Sequence, residues 1–245
     1  MPWSCRIHRS NRVELRAPEL NPQKRRHSLM KISQGMVEDG TVVGNTYDKY
    51  GSKNVIVRRL MQGFDNSLTE LVGKVSPLSI HEIGCGEGYW VMRWADQGIA
   101  STGSDFSGKV IELARANALE RGMTSDLFSV ESIYELPHRI TKPDLIICCE
   151  VLEHLEHPED ALRALQAAAK EYVIVSVPRE PIWSVLNLVR GKYLMSGGNT
   201  PGHIQRWSAS AFKTLVSQYF DILEIRAPLP WTMLLCRVPS VPRPQ

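Results

Sequence analysis

The chain has 245 residues, 43% hydrophobic and 22% charged. That is ordinary for a soluble globular protein, and the length fits one large domain or two small ones with a sizeable core. The formal charge of +3 is uneven: residues 1–31 hold eight Lys/Arg against two Glu, and the remainder carries a net −3, so the body is no general nucleic-acid binder. Five cysteines (Cys5, Cys85, Cys148, Cys149, Cys236), odd in number and without C-x-x-C spacing, exclude a disulfide framework or zinc knuckle. They fit a reducing cytoplasm. No apolar run reaches transmembrane length, and no apolar core follows the basic N-terminal residues, so neither a membrane span nor a secretory signal is expected.

Residues 1–40 mix Arg, Pro, Asn and Ser without sustained periodicity, and "NPQKRRHS" is charged and rich in breakers. They read as a disordered basic extension ahead of one domain over 41–240, or as an extension from an upstream start, with Met30 and Met36 as later candidates. A nucleic-acid-binding arm is the less favoured reading. Val55, Leu60, Phe64, Leu68 and Leu71 recur at helical spacing over 53–73. "LSIHEI" (78–83) predicts a strand and "GYWVMRWADQG" a helix stopping at Gly98. "IASTGSD" (99–105) predicts a strand, and 107–122 a helix capped by Ser107 and closed by Gly122. "DLFSVE" predicts a short strand. "DLIICCE" (144–150) and "EYVIVSVP" (171–178) are continuous apolar runs, the mark of strands buried on both faces. Between them "HPEDALRALQAAAK" predicts a helix with Pro158 in its first turn. A helix near 208–218 precedes "FDILEIRA" and "WTMLLCRV", which Pro228 and Pro230 separate into a hairpin-like antiparallel pair. The expected fold is α/β: a Rossmann-like, seven-stranded, mostly parallel sheet with helices on both faces and an antiparallel last strand.

Ligands of such sheets bind beyond the carboxyl ends of the strands, commonly at the first strand-to-helix turn. Here that turn is "HEIGCGEGYW" (81–90), with Gly84, Gly86 and Gly88 at every second position and Glu82 two residues ahead. Missing Cβ atoms let a ligand lie against the main chain, and the helix N-terminus offers free N–H groups. The spacing differs from the dinucleotide G-x-G-x-x-G. Seventeen residues after Gly88, Asp105 ends the second strand, placed to bind two ribose hydroxyls.

Together "HEIGCGEGYW", "GSDFS", "DLIICCEVLEHLEHPEDAL" and "VIVSVP" resemble, in order and spacing, the class I S-adenosylmethionine-dependent methyltransferases over about residues 75–240. The resemblance implies that Gly84, Cys85, Gly86 and Gly88 line the amino-acid and ribose part of S-adenosyl-L-methionine, with Glu82 orienting the loop. It implies that Asp105 holds the ribose and Phe106 flanks the adenine. Ser132 and Ile133 occupy the adenine-contact slot without the usual acidic residue, and Glu150 faces the methionine moiety. A nucleotide-sugar or dinucleotide-binding domain, or a binding module without activity, is the alternative.

"Glu150-Val-Leu-Glu153-His154" resembles the metal-binding E-x-x-E-H of ubiquinone-biosynthesis O-methyltransferases and small-RNA 3′-end 2′-O-methyltransferases. If a helix begins here, the three residues share one face. His203, from "GNTPGHIQRWS", is the fourth candidate ligand for a divalent ion such as Mg or Mn. Without metal, His203 or His154 is the candidate catalytic base. The alternative is that Glu153 and His154 cap and pack the strand–helix junction. The long connection 179–207 reads as an acceptor-side lid, with Trp183, Tyr193 and Trp207, a Gly197–Gly198 hinge, and an amphipathic helix ending in Arg190 and Lys192. That helix covers an apolar acceptor, touches a membrane surface as a peripheral contact, or packs on the domain. Tyr47 and Tyr50 are placed to close the pocket from the other side. The expectation is methyl transfer to a small-molecule acceptor, with an oxygen nucleophile, in the cytoplasm. RNA 3′-end 2′-O-methylation and non-catalytic cofactor binding are the alternatives.

Overall fold

The computed structural model describes residues 30–38, 40–45, 47–136, 142–189, 198, 200 and 202–240. The extension over 1–29, and Arg190, Lys192, Tyr193 and Gly197, lie outside the described residues. Strands β1 (Ser79–Ile83), β2 (Ala100–Asp105), β3 (Phe128–Val130), β4 (Leu145–Cys149), β5 (Tyr172–Pro178), β6 (Asp221–Arg226) and β7 (Trp231–Arg237) form one sheet, ordered β3-β2-β1-β4-β5-β7-β6. The pairs from β3 to β5 are parallel. Only β7 runs the other way, antiparallel to both β5 and β6. The expected sheet and the hairpin after Pro228 are thus both present.

The helices are α1 (Val55–Val75), α2 (Tyr89–Asp96), α3 (Gly108–Glu120), α4 (Pro158–Ala168), α5 (Ile182–Val189) and α6 (Ala209–Val216). Alternate residues of the central strands serve opposite faces. Leu145 and Ile147 pack with Phe64 and Leu68 of α1 and Trp90 and Trp94 of α2. Ile146 and Cys148 pack with Leu162 and Leu165 of α4 and Phe212 of α6. Both faces being covered explains why "LIICC" is apolar throughout. Asn54 starts α1, its Oδ1 accepting from the amides of Ile56 (2.9 Å) and Val57 (3.2 Å). Ser107 caps α3 as its sequence predicts. The short strand read at "DLFSVE" is shorter still, because Thr124 caps a single 3₁₀ turn over Ser125–Leu127 and leaves only Phe128–Val130 to pair with β2.

The boundary expected at residue 40 falls inside a docked segment. Met30 packs against the α2–α3 cluster. The side chain of Asn117 both accepts from the Lys31 amide and donates to its carbonyl, each at 2.9 Å. Val37–Glu38 then pairs antiparallel with Thr41–Val42. The segment lacks periodicity because polar side chains of the domain hold its backbone, and no apolar stripe is needed. No described helix is long and apolar enough to cross a membrane.

Candidate functional site

The chain runs from β1 outward to β2 and β3, then returns to the other side of β1 to form β4 and β5. The crevice lies where the order reverses, beyond the carboxyl ends of β1 and β4. The glycine loop lines it. All three of its glycines have positive φ, but they do different work. A Cβ on Gly88 would lie 2.5 Å from Cζ of Phe128, and one on Gly84 would meet Val151. Those two positions are closed by the protein itself. A Cβ on Gly86 meets only Asn45 Nδ2, at 3.9 Å, so Gly86 alone faces open space. The Cys85 side chain points into the core beside Val91 and Met92, which leaves only its main chain for a ligand.

Asp105 is 9% exposed at the end of β2. Its Oδ2 accepts from the Gly86 amide at 3.2 Å and its Oδ1 from the Ser107 amide at 3.0 Å. Burial raises its pKa and the two amides oppose that rise. Each oxygen has a further lone pair for a ribose hydroxyl. Phe106, next in the chain, is 60% exposed, a free face for a flat ring. The adenine-side pair is less open than the resemblance implies. Ser132 Oγ caps a 3₁₀ turn by accepting from Tyr134 N at 3.4 Å, and Ile133 is buried with Leu136 and Ile146.

Three carboxylates, Glu82 and Glu153 buried and Glu150 half-buried, lie around Cys149 at the end of β4. Burial pushes the Glu82 pKa up to about 8, with Lys49 opposing, and one of its oxygens has no partner. Glu150 has φ 60° and is held by Trp231 Nε1–H (2.6 Å) and Ser176 Oγ–H (3.3 Å). Glu153 is 2% exposed, and neither of its carboxylate oxygens has a partner. Burial, then the neighbouring Glu150, raises its pKa.

The structure corrects the one-face reading of E-x-x-E-H. Glu150 lies in a bend with left-handed backbone, Leu152–His154 make one 3₁₀ turn, and the α-helix starts only at Pro158. Of the four expected metal ligands the structure brings three together: single donor atoms of Glu153, His154 and His203 lie within 4.8 Å of one another, while Glu150 bonds Trp231 and Ser176. The connection expected as a lid closes this cluster. The amides of Ile204 (2.8 Å) and Gln205 (3.0 Å) donate to the Glu153 carbonyl. His154 Nδ1 faces the Gly202 carbonyl at 2.9 Å, so Nδ1 carries the proton and Nε2 keeps its lone pair. His203 stacks on Trp183, and burial with His154 nearby lowers its pKa to about 4. Gly198, the described half of the expected Gly197–Gly198 hinge, has its carbonyl bonded by Asn187 Nδ2 at 2.8 Å, and a Cβ there would strike the Ser184 backbone. Tyr50 stacks on Tyr89 with ring centroids 3.7 Å apart and accepts from Trp90 Nε1 at 3.0 Å, whereas Tyr47 is 45% exposed.

The sequence reading did not single out Glu87, Asn45, Glu38, Lys49, Ser176 or Trp231. Glu87 had one local signal, a carboxylate between two glycines of the loop.

Comparison with known proteins agrees with this geometry. The family described as "Methyltransferase domain" matches residues 57–221. The ubiquinone biosynthesis O-methyltransferase of Bordetella parapertussis is 29% identical over 131 residues, 52% of this chain and 54% of that protein. The chain thus spans about half the length of this curated relative. The magnesium protoporphyrin IX methyltransferase of Synechocystis with bound SAH shares the fold at a TM-score of 0.57 and 19% identity, covering 77% of this chain and 90% of that one. The PH0226 protein of Pyrococcus horikoshii does so at 0.61 and 15%, covering 79% and 96%. With a glycine loop open only at Gly86, an acidic strand end at Asp105 and a family match over most of its length, the chain belongs to the class I S-adenosylmethionine-dependent methyltransferases.

Proposed function

We propose that this protein transfers the methyl group of S-adenosylmethionine to a hydroxyl of a small-molecule acceptor held at Glu153, His154 and His203. The observation that carries the reading is the buried Glu153 carboxylate, unpartnered on both oxygens, beside two imidazoles. The relatives named as O-methyltransferases support oxygen as the nucleophile.

The sulfonium already makes the methyl group electrophilic. The protein has to hold the hydroxyl in line with the S–CH₃ bond and accept its proton as the C–O bond forms. Such positioning supplies on the order of 7–11 kcal/mol in favourable systems. The depressed pKa keeps His203 neutral at pH 7, which suits a metal ligand better than a general base.

One carboxylate and two imidazoles fit a divalent ion, with Mn, Fe or Zn suited better than Mg. The orphaned Glu153 oxygens and the free Nε2 of His154 are what such an ion requires. When bound, it lowers the pKa of a coordinated hydroxyl. The test is transfer of labelled methyl from the cofactor to a panel of phenols and catechols by the full chain, Glu153→Gln and His203→Ala. Loss of transfer in both variants with S-adenosylhomocysteine affinity retained supports the reading; full transfer by both refutes it.

A further inference from the structure

The segment ahead of α1 is built as a closed loop across the cofactor crevice. At its base, the Gln34 amide and Ser33 Oγ both donate to the Asn45 carbonyl, at 3.1 and 2.9 Å, so residues 33 and 45 are tied together. Glu87, 1% exposed, anchors that base to the glycine loop. Its Oε1 accepts from the amides of Ser33 (3.0 Å) and Asn45 (2.8 Å), and its Oε2 from the Asn45 side chain. A buried carboxylate between two cofactor-loop glycines thus spends its acceptors on this loop and not on a ligand.

The far end rests on the other wall. Glu38, in the two-residue ribbon, accepts from Ser107 Oγ and from the Lys109 amide (3.4 Å). Lys109 Nζ returns to the Val37 carbonyl at 2.9 Å. Ser107 is the residue whose amide binds Asp105. The loop therefore spans from Gly86, over which Asn45 sits, to the residues beside Asp105. Base and tip also differ in character: Ser33 and Val43 are 5% and 2% exposed, whereas Val37 is 50% exposed.

We propose that residues 33–38 and 40–45 form a roof over the ribose part of the cofactor site, hinged at Glu87, with Glu38 as the positioning residue that latches its tip to the start of α3. This rests on reading the Gly86–Asp105 crevice as the cofactor site. A ligand lying against Gly86 and Asp105 leaves only when the tip lets go. Two of the tip's three polar contacts are exposed, whereas the base rests on buried Glu87, so the tip yields first.

Two measurements on the full chain test this. In stopped-flow displacement, Glu38→Ala should release S-adenosylhomocysteine roughly three- to tenfold faster, the loss of one or two modest hydrogen bonds. In wild type, cleavage after Glu38 by a glutamate-specific protease should slow when S-adenosylhomocysteine is saturating. An unchanged dissociation rate, or cleavage indifferent to bound ligand, overturns the roof while leaving the crevice assignment standing. Failure of wild type to bind S-adenosylhomocysteine at all overturns the crevice assignment and the roof with it.

Discussion

Gly86 and Asp105 are joined by a hydrogen bond from the glycine amide to Oδ2, 3.2 Å long, across a sequence separation of 19. It ties the loop after β1 to the end of β2 and sets the one loop glycine that faces open space beside the carboxylate that ends β2. Replacing Asp105 by Ala should weaken binding of S-adenosylhomocysteine roughly tenfold or more, since a hydrogen bond to a charged group contributes about 1.5–3 kcal/mol. Calorimetry giving wild-type affinity would remove Asp105 from the site.

The glycines should separate on substitution. Gly86→Val puts its side chain into the crevice and should abolish cofactor binding while costing stability only through its positive φ, about 1–2 kcal/mol. Gly88→Val adds a collision with the Phe128 ring and should lower the melting temperature well beyond that of Gly86→Val. Equal melting temperatures for the two variants would contradict the packing described.

His81 bridges β1 and β2 from a buried position, Nδ1 to Thr102 Oγ1 at 2.8 Å and Nε2 to Ser104 Oγ at 3.0 Å. Burial lowers its pKa from 6.5 to about 4. Between those values the unfolded chain binds the extra proton, so the contribution is fully present above pH 6.5 and falls away as pH drops to about 4. The integrated loss is roughly 3 kcal/mol. Urea unfolding from pH 7 to 4 should show this slope in wild type and a shallower one in His81→Gln; parallel slopes would mean that His81 is not held neutral.

A chelator should abolish methyl transfer without changing S-adenosylhomocysteine affinity, and added Mn²⁺ should restore transfer, because the three clustered donor atoms are where we propose the acceptor is held. Full transfer in chelator would leave His154 and His203 as proton acceptors or packing groups.

Removal of residues 1–29 should leave the melting temperature unchanged, since their composition carries no patterned apolar face. Removal through Gly35 strips the Asn117 clasp on Lys31 and one donor from buried Glu87, and should lower it by several degrees. Thermal denaturation of the two truncations decides; equal values would show that the docked segment contributes nothing.

The sequence by itself determined the sheet and the floor of the site. Hydrophobic period is local, and strands buried on both faces write it as unbroken apolar runs, so β4 and β5 were legible residue by residue. The glycine loop and Asp105 were legible because a close ligand approach and a strand-end carboxylate are set by short-range chain geometry. Tertiary structure alone decided what the polar side chains do. That Gly84 and Gly88 are closed by Val151 and Phe128 depends on which helix and strand lie opposite. That Glu150 turns to Trp231 while Glu153 meets His203 depends on segments 81 and about 50 residues downstream. The docking of residues 30–38 and 40–45 left no periodic trace, because hydrogen bonds with Asn117, Glu87 and Ser107 hold it, and a hydrogen-bond partner, unlike an apolar stripe, has no spacing that a single sequence records.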